Sequence, residues 1–209
     1  MKKYINLWEY AGEILEQVGT AALVTTAAEG KVNTMTIGWG TLGVEWGKPL
    51  FTVFVRQSRY TKELLDKNGE FTINVPLKGT DRKQALGFCG SKSGRDVDKF
   101  ANLPEARTQN GVRYVQGCTN AVISGKVVST VDCGTHTLFI AEVTDAKILS
   151  EEPSVTYQYY FDHIKPKPQP TEKKSWVCKI CGYVYEGETL PADYECPWCK
   201  HGPEAFEEQ

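Results

Sequence analysis

The stretch CKICGYVYEGETLPADYECPWC, residues 178–199, decides the fold of the C-terminal part of the chain. A CxxC pair stands at each of its ends, so four thiols can reach one metal ion: Cys178, Cys181, Cys196 and Cys199. Four thiolates in a tetrahedron suit zinc and iron alike. The 14 residues between the pairs fall one short of the spacing typical of zinc sites with two CxxC pairs, so spacing leaves both metals open.

The composition of the chain excludes several classes of protein. Its net charge of −2 gives no electrostatic reason to expect nucleic acid or an anionic membrane as a partner. No apolar run reaches the ~20 residues of a transmembrane helix, and Glu9 and Glu13 interrupt the apolar segment that a signal peptide needs. The other three cysteines, Cys89, Cys118 and Cys133, are scattered, which argues against a disulfide framework. A cytoplasmic protein is therefore expected.

A proline- and lysine-rich segment is predicted to divide the chain into two domains. Residues 164–175, IKPKPQPTEKKS, contain three prolines and four lysines, a composition typical of extended linkers. The predicted domains are residues 1–163 and residues 176–209. The second is too short to fold on hydrophobic burial alone, so a bound metal is expected to stabilise it.

The first domain is predicted to be mainly β with a few helices. Strand-like runs occupy residues 21–26, 32–39, 50–55, 71–75, 121–131 and 136–149. One helix is expected to begin at a capping box formed by Asn6 and Glu9 and to end at Gly19. A second is expected over residues 58–69, with Ser58 at its N-cap and Gly69 beyond its end. Many strands with few crossover helices favour a barrel or sandwich.

Two polar segments are candidate anion sites, although neither G-x-G-x-x-G nor a Walker A motif is present. Residues 55–61, VRQSRYT, place guanidinium and hydroxyl groups where a strand ends and a helix begins, an arrangement that suits a phosphate monoester. Residues 90–100, GSKSGRDVDKF, form a second loop that suits an anion. A plain capped helix and an ordinary surface loop remain the alternatives.

Four segments together resemble successive motifs of one family. VNTMTIGWG (32–40), VFVRQSRYT (53–61), SGRDVDKF (93–100) and CGTHTLFIAEV (133–143) match, in order and spacing, the flavin reductase-like, FMN-binding split-barrel family, which includes flavoredoxin and archaeal ferric reductase. The resemblance implies a homodimer of six-stranded Greek-key barrels. It also implies FMN near the subunit interface and NADH or NADPH as the electron donor.

The same resemblance implies a set of site residues. Contacts along the flavin ring fall to Asn33, Thr36 and Trp39. The ribityl phosphate is expected near four residues of the strand-to-helix junction and three of the second loop: Arg56, Ser58, Arg59, Thr61, Ser93, Gly94 and Lys99. His136 would face the flavin and the nicotinamide as the catalytic residue, its alternative being an ordinary strand-end histidine. The flavin carries the hydride chemistry, so no acid–base dyad is required.

The C-terminal segment resembles rubredoxin. CGYVYEG, P-x-x-Y-x-CPWC and a late Phe206 are similar to the shortened form found at the end of rubrerythrin. The resemblance implies one iron that cycles between ferric and ferrous, with Tyr183, Tyr185, Trp198 and Phe206 packed around it. Residues 176–209 carry two lysines and seven acidic residues, so their net charge of −5 disfavours nucleic acid and suits a basic redox partner.

The two parts together resemble the high-molecular-weight rubredoxins and imply an electron-transfer flavoprotein with NAD(P)H:rubredoxin-type reductase activity. Electrons would pass from NAD(P)H through FMN to the Fe(Cys)4 centre and on to a flavodiiron oxygen or nitric oxide reductase of an anaerobe. One alternative is a reductase that releases reduced FMN to a monooxygenase. Another is a flavin-binding scaffold with a structural zinc interaction module. Tight retention of FMN would distinguish the electron-transfer flavoprotein from the reductase that releases FMN. The colour of iron would distinguish it from the scaffold with a zinc module.

Overall fold

A computed structural model describes residues 11–19, 22–76, 80–101, 103–116, 121–149, 162–163 and 174–208. The chain divides into two compact units, Met1–Lys165 and Pro166–Gln209. The predicted capping box at Asn6 and Glu9, Cys118 and all of the predicted linker except Lys174 and Ser175 lie outside the described residues. Within the described ranges, no helix is long and apolar enough to cross a membrane.

Most of the described first unit is one antiparallel sheet. Nine strands are described in this unit: β1 (Ala22–Ala28), β2 (Lys31–Ile37), β3 (Gly40–Glu45), β4 (Lys48–Arg56), β5 (Glu70–Val75), β6 (Glu105–Arg107), β7 (Arg113–Val115), β8 (Ala121–Asp132) and β9 (His136–Ile148). Seven of them pair in the order β2-β1-β5-β8-β9-β4-β3, and β6 pairs with β7 separately. The predicted mainly β class is confirmed. The sheet has one strand more than the six that the resemblance implied.

Two hairpin turns set the register of the sheet. Glu29 and Gly30 connect β1 to β2 with φ of 51° and 77°, and Trp46 and Gly47 connect β3 to β4 with φ of 50° and 76°. Two successive residues with positive φ are typical of the type I′ turn, whose twist matches that of the flanking strands. The first hairpin joins the strands predicted at residues 21–26 and 32–39, whereas β3 was not predicted.

Three helices flank the described sheet: α1 (Ala11–Val18), α2 (Tyr60–Asn68) and α3 (Thr80–Ser91). Gly69 ends α2 in the left-handed conformation and donates its N–H to the Leu65 carbonyl at 2.8 Å, as predicted. The predicted N-cap Ser58 is wrong, because Arg59 occupies that position with extended backbone and no side-chain capping bond. Helix α3 was not predicted; its Leu86 and Cys89 pack on Leu23 and Val115.

The core of the first unit fixes the strand ends that carry the candidate site. Phe51, Phe71 and Phe139 are fully buried on β4, β5 and β9. Each such side chain stabilises the fold by roughly 1.5–3 kcal/mol. A Cβ at Gly125 would lie only 3.0 Å from both the Ala141 Cβ and the Phe71 ring, so a larger residue there would press on both side chains.

The second unit is a small sheet around a cysteine cluster. Strand β10 (Ser175–Cys178) lies between β11 (Val184–Glu186) and β12 (Phe206–Glu208), and both pairings are antiparallel. A short 3₁₀ turn, Pro203–Ala205, leads into β12. This arrangement brings Cys178, at the end of the central strand, next to Phe206.

Candidate functional site

An arginine, a tryptophan and a histidine meet at one end of the sheet. Arg56 ends β4 and pairs across the ladder with His136, which begins β9. The Trp39 ring lies 5.3 Å from the His136 ring, and the Arg56 guanidinium lies 5.9 Å from the centre of the same indole. Trp39 is 52% exposed, so this group faces solvent with one aromatic surface available to a planar ligand.

The two ring nitrogens of His136 differ in their surroundings. Its Nδ1 lies 2.8 Å from the Thr135 hydroxyl oxygen, whereas its Nε2 is buried and has no hydrogen-bond partner within the described part of the chain. Burial lowers the pKa of His136, and the charges of Arg56 and Arg59 lower it further. Because this pKa falls below its ordinary value of 6.5, the ring is neutral at pH 7.

Asn33 on β2 supplies a buried acceptor with no partner. Its side chain is 2% exposed, and its amide donates to the Thr61 hydroxyl at 2.9 Å, while Oδ1 has no partner among the residues that the structure describes. A buried carbonyl left unpaired costs about 1–3 kcal/mol. Gly94 lies directly beside it, since a Cβ at that position would collide with Oδ1 and lie 3.0 Å from the Tyr60 ring.

The start of α2 concentrates positive charge. Arg59 occupies the N-cap and donates its N–H to the Arg56 carbonyl at 3.0 Å. Desolvation lowers the pKa of Arg59, and the Arg56 charge lowers it further, which places the two guanidinium groups in one local field. Two guanidinium groups beside a helix N-terminus attract a phosphate group.

The loop of residues 92–98 packs on α2 through Arg95, which the sequence analysis did not single out. The Arg95 guanidinium donates to the Ser58 carbonyl at 3.3 Å, pairs with Glu63 and stands 5.4 Å from the centre of the Tyr60 ring. Inside the loop, the Ser93 hydroxyl accepts the Arg95 N–H at 3.1 Å. The position of Arg95 within the motif SGRDVDKF was a signal that could have singled this residue out. Nothing in the sequence indicated its partners Ser58, Glu63 and Tyr60.

Two predicted contact residues bond to the protein's own backbone. The Thr36 hydroxyl donates to the Leu86 carbonyl at 2.7 Å. Lys99 is 2% exposed and donates to the Thr34 and Cys89 carbonyls at 2.7 and 2.8 Å. The other predicted positions gather around α2, β2 and the β4–β9 end of the sheet: Asn33, Trp39, Arg56, Ser58, Arg59, Thr61, Ser93, Gly94 and His136.

This set of groups fits a flavin monophosphate. The guanidinium groups at the start of α2 match a dianionic phosphate, and Oδ1 of Asn33, unpaired among the described residues, is an acceptor that a ring-edge N–H could use. Trp39 offers an aromatic surface, and the absence of a side chain at Gly94 permits a close backbone approach. The contacts of the individual residues remain predictions.

The four predicted metal ligands lie close together in the second unit. The Sγ atoms of Cys178 and Cys199 are 3.4 Å apart, those of Cys181 and Cys196 are 3.5 Å apart, and all four lie within 4.8 Å of one another. A tetrahedron with metal–sulfur bonds of ~2.3 Å has edges of ~3.8 Å. The cluster therefore fits a single tetrahedral metal ion.

Two similar backbone turns hold the ligands. The Gly182 N–H donates to the Cys178 carbonyl at 2.6 Å, and the Lys200 N–H donates to the Cys196 carbonyl at 2.8 Å. Both donor residues have positive φ, 72° at Gly182 and 62° at Lys200. Burial raises the pKa of Cys199 to about 11, so a bound cation is needed to keep it as a thiolate at neutral pH.

Aromatic residues surround the cluster, with one departure from prediction. The Tyr194 ring lies 4.6 Å from Tyr185 and 5.5 Å from Phe206, and it completes a core that the sequence analysis described without it. Trp198 was expected in that core but is 55% exposed. Its ring meets the Tyr183 ring edge-on, with 5.3 Å between the ring centres.

Comparison with known proteins gives matches in both units. Residues 18–167 match the flavin reductase-like domain family, and residues 176–207 match the rubrerythrin, rubredoxin-like domain family. The high molecular weight rubredoxin of Moorella thermoacetica is 32% identical over 77% of this chain and 82% of its own. The NAD(P)H ferric-chelate reductase of Archaeoglobus fulgidus is 31% identical over 54% of this chain and 67% of its own. The structure of an FMN-binding protein from Thermus thermophilus aligns with a TM-score of 0.56 and 26% identity, covering 82% of this chain and 83% of that one.

Proposed function

Because the chain belongs to the flavin reductase-like family and carries a rubredoxin-like domain, we propose that it passes electrons from NAD(P)H through FMN to its own Fe(Cys)4 centre. It is an NAD(P)H-dependent flavin oxidoreductase, and both resemblances drawn from its motifs are confirmed. The relay itself is supported by one observation: a four-thiolate cluster and a flavin-type site stand on the same chain.

FMN would supply two-electron hydride chemistry and an Fe(Cys)4 site one-electron chemistry, so a chain that holds both would convert two-electron into one-electron transfer. At the flavin site, Arg56 and Arg59 would neutralise the phosphate, and Asn33 would orient the ring through Oδ1. In the second unit, Cys178, Cys181, Cys196 and Cys199 would hold the iron and keep it from exchanging.

His136 would act at the nicotinamide approach by position and charge. Its ring is neutral because its pKa is lowered, and the Thr135 hydroxyl can donate to Nδ1, which leaves the proton on Nε2. An N–H at Nε2 would then donate to the flavin or the nicotinamide amide. A neutral His136 ring also avoids placing a third positive charge beside the two arginines nearby.

The proposed partners follow from the negative charge of the second unit and from the exposed apolar side chains of the first. The acidic second unit suits a basic redox protein, and a flavodiiron oxygen or nitric oxide reductase is the acceptor that we propose. A homodimer of the first unit is supported by exposed apolar side chains at two places in the sheet: Val44 and Trp46 on the edge strand β3 and its turn, and Val128 and Val131 on β8. A cytoplasmic location is proposed because all four ligand cysteines must stay reduced.

An anaerobic titration with NADH, followed by visible absorption, tests the relay. In iron-replete protein, the flavin and ferric-thiolate bands should both bleach. The Cys196→Ser variant is the matched control, and it should bleach at the flavin only. If the intact protein never shows an iron–thiolate band, the cluster is a zinc site and the relay is refuted.

A second measurement separates the relay from a flavin supplier. Gel filtration of the oxidised and reduced protein shows whether FMN stays bound. Retention in both states is expected for the relay. Release of most of the reduced FMN would instead assign the chain to the reductases that supply flavin to a monooxygenase.

A further inference from the structure

Lys99 is a buried ammonium group with no carboxylate among its described hydrogen-bond partners. The residue is 2% exposed, and its Nζ donates to the Thr34 carbonyl at 2.7 Å and the Cys89 carbonyl at 2.8 Å. Desolvation lowers the pKa of Lys99 to about 8, the Arg59 charge also lowers it, and Cys89 opposes both. The protein therefore keeps an unfavourable charge inside the first unit.

Stability alone does not explain this lysine. Replacing buried charged side chains with apolar ones of similar volume often leaves the stability of a protein unchanged or raises it. The two carbonyls that Lys99 contacts belong to different elements, β2 and α3, and lie 65 and 10 residues away in the chain. One ammonium group thus joins three segments, two of which, β2 and α3, are also linked by the hydrogen bond from the Thr36 hydroxyl to the Leu86 carbonyl.

Two of the segments joined by Lys99 lie immediately before and after the loop of residues 92–98 in the chain. Cys89 lies in the last turn of α3, just before the loop, and Lys99 lies just after it. Both ends of the loop are thereby fastened to β2 at Thr34, the neighbour of Asn33. Between these ends, Gly94 packs so closely on Asn33 and Tyr60 that it has no room for a side chain.

We infer that Lys99 is a positioning residue for the flavin phosphate, which acts by fixing the loop of residues 92–98 against β2 and α2. The ammonium holds the two ends of the loop, Arg95 holds its middle on α2, and Gly94 then meets Asn33 in a defined position. This inference rests on the proposed function, because it assumes that the loop contacts FMN. It differs from the sequence prediction, in which Lys99 contacts the phosphate directly.

The test compares two variants of the full-length protein freed of flavin. Lys99→Met keeps most of the length of the side chain, lacking only its terminal atom, and removes its charge and donors. Lys92→Met is the matched control, since Lys92 is an exposed lysine of the same loop. Hydrogen exchange is followed at the Asp96 and Val97 amides, which both donate to the Ser93 carbonyl at 3.1 Å. We expect exchange at least tenfold faster in Lys99→Met and unchanged in Lys92→Met.

Flavin affinity supplies the second readout. The dissociation constant of FMN should rise at least tenfold in Lys99→Met, whereas that of riboflavin, which lacks the phosphate, should change less than threefold. Weaker FMN binding with unchanged loop exchange would make Lys99 a direct phosphate ligand and overturn the inference. Unchanged exchange and unchanged affinity would overturn it as well.

Two further outcomes are separated by the same experiment. If Lys99→Met does not fold, Lys99→Gln is measured by the same criteria. Its N–H donors favour folding, but its side chain is uncharged and too short to keep both hydrogen bonds of Lys99, so loop exchange equal to wild type refutes the inference. If wild-type protein binds neither flavin, the proposed function fails, while the exchange comparison still decides whether Lys99 holds the loop.

Discussion

Raising the pH from 8 to 10.5 should stabilise the first unit through Lys99. Its pKa lies at about 8 in the folded protein against an ordinary value of 10.5, chiefly because burial disfavours the charge. Between these values the unfolded chain holds a proton that the folded protein has released. Stability rises with pH wherever the unfolded state binds more protons. The sign is therefore opposite to that expected for a lysine in an ion pair.

The magnitude follows from the width of this window. At about 1.36 kcal/mol per pH unit, the full window corresponds to roughly 3 kcal/mol. With a urea m-value of about 2 kcal/mol/M, the unfolding midpoint of wild type should rise by about 1.5 M relative to a variant without the group. The comparison with a variant cancels other groups that titrate in this range.

Urea unfolding followed by far-UV circular dichroism measures the effect, because most of the described secondary structure belongs to the first unit. Flavin-free wild type and Lys99→Met are compared at pH 7.5, 8.5, 9.5 and 10.5. The difference in unfolding free energy, wild type minus variant, should grow through this series. A difference that stays constant within about 0.5 kcal/mol, or shrinks, would refute a buried lysine with a lowered pKa.

Three further predictions concern other parts of the molecule. Gly125→Ala should destabilise the first unit by about 1–3 kcal/mol, because its Cβ would press on Ala141 and Phe71; Gly43→Ala, whose Cβ meets open space, should change the same unfolding midpoint little. Lys200→Gly should stabilise the metal-bound second unit by about 0.5–1 kcal/mol in chelator titrations, since φ there is 62°; a loss of stability would show that the exposed Lys200–Glu195 ion pair outweighs the backbone strain. Removing the metal should abolish amide protection over residues 174–208 and leave residues 22–76 unchanged in hydrogen exchange, because metal binding supplies the folding free energy of so small a unit; persistent protection of β10 would contradict this.

Local sequence signals predicted the parts of the fold that depend on local chemistry. Gly69 ends α2 because only a residue tolerant of positive φ fits there, and Glu29-Gly30 forms the turn that its flanking strands indicated. The four ligand cysteines were identified because each CxxC turn brings two thiols to one point. The family match followed from motifs in a fixed order, and it is confirmed.

Tertiary contacts decided what the sequence did not reveal. Strand β3 contains Gly40 and Gly43, which weaken its intrinsic preference, and its pairing with β4 makes it a strand. Helix α3 has no clear apolar stripe in its sequence and is held by its contact with Leu23 and Val115. Lys99 lies in a glycine- and serine-rich loop, where a lysine is usually exposed. Its burial depends on the Thr34 carbonyl, 65 residues away in the chain.

The placement of the tryptophans gives the protein built-in optical reporters. Trp39 stands at the candidate flavin site, so bound flavin would quench its fluorescence by energy transfer. Trp198 lies between two ligand cysteines and would be quenched by ferric iron. Trp46, 93% exposed at the tip of the β3–β4 turn, would sense whether another molecule covers the tip. Single tryptophan variants would therefore report flavin loading, iron loading and subunit association separately, without any added dye.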